Sequence, residues 1–398
     1  MNSKLFGYKH TKLLCYSGYV VQAIVNNFVP LLFVFFHTRY NISLIRITFI
    51  VSFNFALQLC VDLASALFVD RIGYKRSVML SNFLCAAGLI LLTILPEITP
   101  DPFIGILISV SVYAVGGGLL EVIINPIIQS CPARDKEAAM SILHSFYSWG
   151  CVAVILFSTL FFGYIGIVHW KIITILWTII PIVNMLLFPF VPISDIAGKT
   201  DKSMKLGALA KSKGFLLMLM MMLGAGASEM TVSQWVSAFA ETGLHVSKTV
   251  GDIAGTMFFA LLFGLSRTIY GKLGGRLDLI RTMRVSALIC TASYFLIALS
   301  PSPVLALIGC GICGFSVGIF WPGTVSITAA EFARGGTLVF SLLAFAGDIG
   351  CTLGPTLAGA VASAAGDSLN IGIGATAVFP IIMLICLAII GRTKTVEK

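Results

Sequence analysis

Twelve long apolar stretches constrain what this chain can fold into more than any other feature of its sequence. Each has about the 20 residues that a helix needs to cross the hydrocarbon core of a bilayer. Backbone groups in lipid must be hydrogen-bonded within their own segment, so the stretches predict helices, whereas a transmembrane β-barrel would need strands of about 10 residues with alternating polarity. They lie at residues 13–36, 45–69, 77–96, 102–130, 138–163, 168–190, 214–240, 250–270, 283–300, 303–329, 337–364 and 370–390.

The composition excludes a soluble protein. Of the 398 residues, 58% are hydrophobic and 11% are charged, and the mean hydropathy is +0.99. Soluble domains average about 25% charged residues, and no soluble fold of this length has enough interior to bury so much apolar surface. The sequence therefore predicts an all-α integral membrane protein with the lipid bilayer as its partner, rather than a soluble enzyme, a disordered chain or a secreted disulfide scaffold.

The positive charges indicate how the spans are oriented. If the amino terminus is cytoplasmic, 22 of the 26 Lys and Arg residues fall on the inner side, including those from Arg267 to Arg284. The remaining four, Arg39, Arg46, Lys171 and Lys248, fall outside. Cytoplasmic loops are rich in Lys and Arg, so the net charge of +9 marks those loops and predicts no nucleic-acid partner. We expect a multi-pass protein of the cell membrane (inner or plasma membrane) with both termini in the cytoplasm.

The longest polar connection divides the chain into two halves of six spans. It runs from residue 192 to residue 213 and holds five lysines and two aspartates. We expect an N-terminal six-helix bundle at 1–191, a cytoplasmic linker at 192–213 and a C-terminal six-helix bundle at 214–398. The halves echo each other at an offset of about 200 residues, since Gly150-Cys151 corresponds to Gly350-Cys351. Such repeats are typical of secondary transporters that alternate access around a midplane site.

The loop between spans two and three carries the sequence Asp-Arg-Ile-Gly-Tyr-Lys-Arg at residues 70–76. It resembles the signature loop of the major facilitator superfamily, although Ala66 replaces the first glycine of that pattern and Tyr74 the first basic residue of its closing pair. The resemblance implies twelve transmembrane helices in two pseudo-symmetric six-helix bundles, the major facilitator fold. A degenerate copy lies in the equivalent loop of the second half, from Arg267 to Arg276. The loop is interpreted as a cytoplasmic gate formed by Asp70, Arg71, Gly73, Lys75 and Arg76.

A second resemblance lies in span four, in the segment from Leu120 to Pro126. It is similar to the Leu-Glu-x-x-x-Asn-Pro segment of the fucose permease family of proton-coupled sugar porters, and Glu229 with Trp235 in span seven is similar to a pattern among that family's relatives. The resemblance implies that Glu121 lines a central cavity and takes part in proton and sugar handling. One position departs from the family. Its other key carboxylate, four residues before a proline in span one, is Asn26 here, and a neutral amide cannot take up a proton.

The polar side chains of spans one, four, seven and ten are the candidate binding residues, because the resemblance implies that these spans line the cavity. Amides and carboxylates bond to hydroxyl groups, and tryptophan faces cover the C–H side of a sugar ring. An ionisable group at mid-membrane costs about 3 kcal/mol or more unless it faces protein or water. Glu121 and Glu229 are therefore the candidate proton-coupling residues; the alternatives are structural pairing for the carboxylates and helix–helix contacts for the amides. The candidate substrate-binding residues are Gln22, Asn26, Asn27, Glu121, Asn125, Glu229, Gln234, Trp235 and Trp321, with His144 of span five.

Two further carboxylates are expected at the inner gate. Asp62 ends a polar stripe in span two that also holds Asn54 and Gln58 at four-residue spacing, and Asp348 lies early in span eleven. Spans two and eleven pack against each other in this superfamily, so the resemblance implies a gate or interface role for both carboxylates. A coupling-ion site and pairing with a loop arginine are the alternatives.

The substrate class follows from what the predicted cavity lacks. Its spans carry acids but no Lys or Arg, and an anionic substrate would normally need a cation there, so a sugar is favoured. The coupling ion is a proton or, given the amide-rich span one, Na⁺. A drug or metabolite antiporter of the same fold is the alternative. The Gly-Pro ending expected of such antiporters is missing from span five, while a similar Gly354-Pro355 occurs in span eleven.

The sequence contains no pattern of a membrane-embedded enzyme. Metal-ligand spacing of the HExxH type, a GxSxG nucleophile and a phosphate-binding loop are all missing. We expect no enzymatic activity, no cofactor and no metal, and a monomer whose partners are a small-molecule substrate and a coupling ion.

Overall fold

The computed structural model describes residues 6–193, 206–239, 255, 257–273, 276–300, 302–333, 335–366 and 368–396. Every regular element within these ranges is a helix, which confirms the all-α prediction. The first half holds α1 (Tyr8–Asn27), α2 (Phe33–Tyr40), α3 (Leu44–Ile72), α4 (Tyr74–Ile98), α5 (Pro102–Ser130), α6 (Lys136–Tyr164) and α7 (Trp170–Leu187). The second half holds α8 (Leu206–Lys211), α9 (Lys213–Ala238), α10 (Phe258–Leu273), α11 (Leu279–Leu299), α12 (Pro303–Val317), α13 (Phe320–Glu331), α14 (Gly336–Ala364), α15 (Leu369–Ala375) and α16 (Val378–Val396).

Nine helical segments within the described ranges are long and apolar enough to cross a membrane. They are Tyr74–Ile98, Pro102–Ser130, Lys136–Tyr164, Ile167–Phe190, Lys213–Val236, Leu279–Leu299, Pro303–Glu331, Gly336–Ala364 and Leu369–Gly391. Two of the other predicted spans correspond to α1 with α2 and to α3, and the described part of the span predicted at 250–270 overlaps α10. These helices support a multi-pass membrane protein.

Proline and glycine interrupt two of the predicted spans. Pro30 lies in the 3₁₀ turn Val29–Leu32 that separates α1 from α2, and it has no backbone N–H to donate to a continuing helix. Span ten is divided into α12 and α13 by a turn at Gly318 and Ile319. Such breaks free backbone carbonyls that need other donors inside a membrane protein.

The chain folds into two compact units, of which unit 1 comprises Met1–Ala133, Phe146–Ser203 and Arg334–Ser341. Within it, α4 and α5 pack along much of their length. A Cβ atom on Gly88 of α4 would lie 2.5 Å from the backbone nitrogen of Tyr113 on α5. The absence of that side chain allows the close approach of the two helices, as small residues commonly do in membranes.

Unit 2 comprises Arg134–Ser145, Met204–Ala333 and Leu342–Lys398. Within it, α9 packs against α13 and α16, and α12 packs against α10 and α11. Two helices change unit part-way along: α6 after residue 145 and α14 after residue 341. The bundle boundaries at 191/192 and 213/214 stay a prediction, and residues 194–205 of the linker, Lys248 and Arg334 lie outside the described residues.

Candidate functional site

The first group of predicted site residues forms between α1 and α5, in unit 1. Glu121 and Asn125 lie one turn apart on α5, and the side-chain amide of Gln22 on α1 donates to the Glu121 carboxylate. The Asn125 amide donates to the backbone oxygen of Glu121 at 3.0 Å. Gln22 and Asn125 are buried, whereas Glu121 is half-buried. The structure thus brings together three residues that the sequence placed in one site.

Tyr19 belongs to the same group, although the sequence did not single it out. Its hydroxyl donates to Oδ1 of Asn125 at 2.9 Å. The sequence feature that could have identified Tyr19 is its three-residue spacing from Gln22, which places both residues on one face of α1. Two side-chain pairs, Tyr19 with Asn125 and Gln22 with Glu121, are thus joined by the bond from the Asn125 amide to the Glu121 backbone oxygen.

Asn26 and Asn27, at the end of α1, have different partners. Oδ1 of Asn26 accepts from Nε2 of Gln58 at 2.8 Å and from Nδ2 of Asn54 at 3.4 Å, both on α3. Nδ2 of Asn27 donates to the backbone oxygen of Ala23 at 2.9 Å and lies 3.2 Å from the sulfur of Cys151. Asn26 therefore joins the polar stripe of span two, a pairing that the sequence did not predict.

A small cavity in unit 1 adjoins this amide cluster and has room for about one water molecule. Asn54 lines it, and Oδ1 of that side chain is buried with no hydrogen-bond partner among the described residues. The cavity is too small for a sugar ring. The lining residues are Val25, Asn26, Val29, Pro30, Phe33, Ile50, Asn54, Phe55 and Tyr113.

The second group of predicted residues centres on an ion pair within unit 2. Nη2 of Arg267 on α10 lies 3.3 Å from Oε2 of Glu229 on α9. Nε of Arg267 donates to the backbone oxygen of Gly318 at 3.0 Å, and Nη1 donates to that of His144 at 3.2 Å. The guanidinium also lies over the ring of Phe263, 3.8 Å from its centroid. The Arg267 and Glu229 side chains are 3% and 17% exposed, respectively.

The position of Arg267 differs from the sequence-based expectation of a cytoplasmic loop. It lies within α10 and is buried, because the Glu229 carboxylate, two backbone carbonyls and an aromatic ring together offset the loss of hydration of its charge. Counting charges by their position along the chain does not reveal such pairing. The loop resembling the signature motif in the second half therefore begins later than Arg267, after α10 ends at Leu273.

The remaining predicted residues of unit 2 are distributed around α9, α13 and α14. Nε1 of Trp235 donates to the backbone oxygen of Pro355 at 2.9 Å, which fixes the indole against α14. Trp321 is buried and its ring packs over Gly347, where a side chain would collide with it. The His144 side chain is buried, whereas that of Gln234 is exposed. Glu229 and His144 are thus linked through Arg267, and the two tryptophans pack against α14.

Three of the residues predicted for the gate, Asp70, Gly73 and Lys75, lie around the end of α3. Oδ1 of Asp70 accepts from the hydroxyl of Thr337 at 2.5 Å, and that hydroxyl lies 2.7 Å from the hydroxyl of Tyr74. Gly73 has a φ of +89°, a conformation that suits glycine. Lys75 donates to the backbone oxygen of Pro189 at 3.0 Å.

The other predicted gate residues are not brought to this network. Arg71 and Arg76 are exposed. Asp62 is fully buried in unit 1, where its backbone oxygen accepts from Ser65 at 2.7 Å. The backbone oxygen of Asp348, in unit 2, accepts from Thr352 at 3.0 Å. A gate role for Asp62 and Asp348 stays a prediction.

Comparisons with known proteins place this arrangement in a family. A family model described as Major Facilitator Superfamily matches residues 15–355. FucP, the E. coli fucose:proton symporter, has a solved structure in the outward conformation that is 16% identical, with a TM-score of 0.82 over 96% of this chain and 99% of that chain. The proton:xylose symporter XylE is 12% identical, with a TM-score of 0.75 over 97% of this chain and 95% of that chain.

A further solved structure, that of the human organic anion transporter MFSD10, is 14% identical, with a TM-score of 0.72 over 96% of this chain and 99% of that chain. No curated protein sequence matches the chain. At such identities the structural likenesses establish the fold, while the family model covers most of the sequence. The chain therefore belongs to the Major Facilitator Superfamily, a family of membrane transporters rather than enzymes.

Proposed function

We propose that this transporter carries a sugar across the cell membrane in symport with a proton, by alternating access, and that Glu121 is the residue that carries the proton. The observation that supports the proposal is the half-buried carboxylate of Glu121, which accepts a hydrogen bond from Gln22 on the facing helix. Tyr19 and Asn125 adjoin the pair. The same side chains offer hydrogen bonds to hydroxyl groups of a sugar and a carboxylate to a proton.

The surroundings of the two candidate carboxylates favour Glu121 over Glu229 as the proton carrier. A proton carrier must lose and regain its charge in each cycle. Gln22 can serve both states of Glu121, because a side-chain amide donates to a carboxylate and, after rotation, accepts from a carboxylic acid. Neutralising Glu229 would instead leave the buried guanidinium of Arg267 without its counter-ion, which is strongly unfavourable.

A neutral substrate fits these residues better than an anion does. The side chains in the hydrogen-bonded group at Glu121 include amides and a tyrosine hydroxyl, which recognise hydroxyl groups. The buried cation at Arg267 already binds the Glu229 carboxylate and two carbonyls, so its charge is compensated. The similarity to FucP, a fucose:proton symporter, and XylE, a proton:xylose symporter, agrees with a sugar substrate and with proton coupling.

The proposal includes the topology and the oligomeric state. Both termini lie in the cytoplasm, six-helix bundles at 1–191 and 214–398 flank the linker at 192–213, and the transporter acts as a monomer in the cell membrane. Na⁺ is the alternative coupling ion, since amides cluster around Asn26.

Uptake into proteoliposomes tests the proposal. Purified protein is reconstituted, and radiolabelled L-fucose and D-xylose are supplied outside vesicles whose interior is alkaline. The wild-type protein should accumulate at least one of these sugars, and a proton ionophore should abolish the accumulation. In Glu121→Gln, accumulation should be lost while exchange of labelled for unlabelled sugar continues, because exchange needs no net proton transfer.

Glu97→Gln is the matched control, because Glu97 is a partly exposed carboxylate at the end of α4, paired with Lys171 at 3.0 Å. It should accumulate sugar like the wild type. Accumulation by Glu121→Gln would contradict the assignment of the proton carrier. Failure of the wild-type protein to move either sugar would contradict the proposed substrates, and accumulation driven by a Na⁺ gradient alone would contradict proton coupling.

A further inference from the structure

Arg267 joins three separate stretches of chain within unit 2. Its nitrogen atoms bind the Glu229 carboxylate of α9, the His144 carbonyl of α6 and the Gly318 carbonyl in the turn between α12 and α13. Nε, Nη1 and Nη2 each bind one of these partners, so all three nitrogens of the planar guanidinium form polar contacts. A single buried side chain thereby links the candidate site residue Glu229 to two distant backbone positions.

The His144 carbonyl that Arg267 binds belongs to the segment Arg134–Ser145, which groups with unit 2 although α6 continues into unit 1. Three further features hold this segment on α10. The hydroxyl of Ser141 donates to the backbone oxygen of Arg267 at 2.8 Å, and that of Tyr270 donates to Glu137 at 3.3 Å. Gly271 leaves room for Ile142, which a side chain there would displace.

We propose that Arg267 is a positioning residue through which the negative charge of Glu229 holds the segment Arg134–Ser145 on α10. The inference rests on the proposed function only in that it takes Glu229 to belong to the transport site. A buried guanidinium without an anion is strongly disfavoured. When Glu229 loses its charge, Arg267 turns towards water and gives up the carbonyls of His144 and Gly318, and the segment loosens. The charge of Glu229 on α9 thus acts through Arg267 on a segment of α6.

Histidine, glutamate and tyrosine side chains also lie on the described helices around this ion pair. On α6 they are His144 and Glu137, on α10 Tyr270, and on α11 Tyr294, whose hydroxyl donates to the backbone oxygen of Ser228 at 2.8 Å. Among the ion pairs between described residues, Arg267 is the cation that Glu229 binds. The Glu229 carboxylate is thus a charged group in direct contact with the buried guanidinium.

Backbone hydrogen exchange, read by mass spectrometry on the full chain in lipid nanodiscs, tests the proposal without any substrate. In Glu229→Gln, which keeps the shape but removes the charge, peptides covering residues 134–145 should exchange several-fold faster than in the wild type. Peptides from α11, Leu279–Leu299, should be unchanged and serve as the internal reference. Glu229→Asp, which keeps the charge, should restore slow exchange at residues 134–145.

Two more variants separate charge from geometry. Arg267→Lys keeps the cation, but one compact ammonium cannot reach the carboxylate and both carbonyls, so exchange at residues 134–145 should again be faster. Glu97→Gln removes a partly exposed carboxylate in unit 1, outside the candidate site, and should leave this exchange as in the wild type. Unchanged exchange at residues 134–145 in Glu229→Gln would overturn the proposal. Equally faster exchange in α11 would also overturn it, because it would indicate a general loss of stability. Neither outcome depends on whether sugar is transported.

Discussion

The hydroxyl of Tyr19 donates a hydrogen bond of 2.9 Å to Oδ1 of Asn125, and this bond connects α1 to α5 beside Glu121. Asn125 is buried and its amide is in turn bonded to the Glu121 backbone. The side-chain orientation at the candidate site thus depends on a residue that carries neither charge nor amide.

Tyr19→Phe should weaken both stability and sugar binding. It removes the donor to Asn125, and an interhelical hydrogen bond in a membrane protein contributes about 1 kcal/mol. The unfolding temperature in detergent should fall by a few degrees. The Kd for the proposed sugar substrate should rise, because Asn125 loses its fixed orientation. Tyr164→Phe, at a side chain that is 88% exposed, is the control and should change neither quantity. A Kd equal to that of the wild type would argue against Asn125 as a binding residue.

Thr337→Val should destabilise the network at the end of α3. The valine keeps the shape of threonine but removes the hydroxyl that bonds to Asp70 and Tyr74. Losing both hydrogen bonds should lower the free energy of unfolding by about 1–2 kcal/mol. The bond to Asp70 should account for the larger share, because its acceptor is a carboxylate. Thr356→Val is the matched control on the same helix, since its exposed hydroxyl bonds to the backbone of Thr352. Equal effects of the two substitutions on stability and transport rate would contradict a special role for this network.

Gly73→Ala should be destabilising for a reason that involves no collision. No described residue lies within 4 Å of a Cβ atom built on Gly73, but its φ of +89° strains any side-chain-bearing residue, at a cost of about 1–3 kcal/mol. Gly163→Ala, at a glycine that also has open space but ordinary helical geometry, should be neutral or slightly stabilising. Comparison of the two unfolding temperatures checks the prediction, and a neutral Gly73→Ala would refute it.

Trp235→Phe should distinguish the contribution of the aromatic ring of this residue from that of its hydrogen bond. The phenyl ring retains an aromatic face, while the bond from Nε1 to the backbone oxygen of Pro355 is lost, at about 1 kcal/mol of stability. Trp177→Phe removes a comparable bond, to Ser158 at 3.1 Å, away from the predicted site. Both variants should lose similar stability in thermal unfolding, but Trp235→Phe alone should weaken sugar binding. Identical sugar affinities for the two variants would remove Trp235 from the candidate site.

Much of the helical framework is predictable from the sequence, because apolar length and the hydrogen-bonding needs of backbone in lipid leave few other structures. The sequence and the resemblance placed Gln22 and Glu121 on spans of one cavity, but the hydrogen bond between them was not predicted. The burial of Arg267 does not follow, since the rule that places positive charges in cytoplasmic loops counts residues and has no information about a carboxylate 38 positions away. The partners of Asn26 and Asp70 lie 32 and 267 positions away along the chain, so these bonds also depend on tertiary packing.

The turn at Gly318 and Ile319 has an electrostatic consequence. It gives span ten a carboxyl-terminal helix end inside the protein, and the peptide dipoles of α12 add up to a partial negative charge at such an end. Water, which normally stabilises that charge, is scarce at membrane depth. Arg267 donates to the Gly318 carbonyl at this end. Its positive charge therefore stabilises the negative end of the α12 dipole as well as the Glu229 carboxylate. The interruption of span ten and the burial of an arginine are therefore mutually dependent features of this transporter.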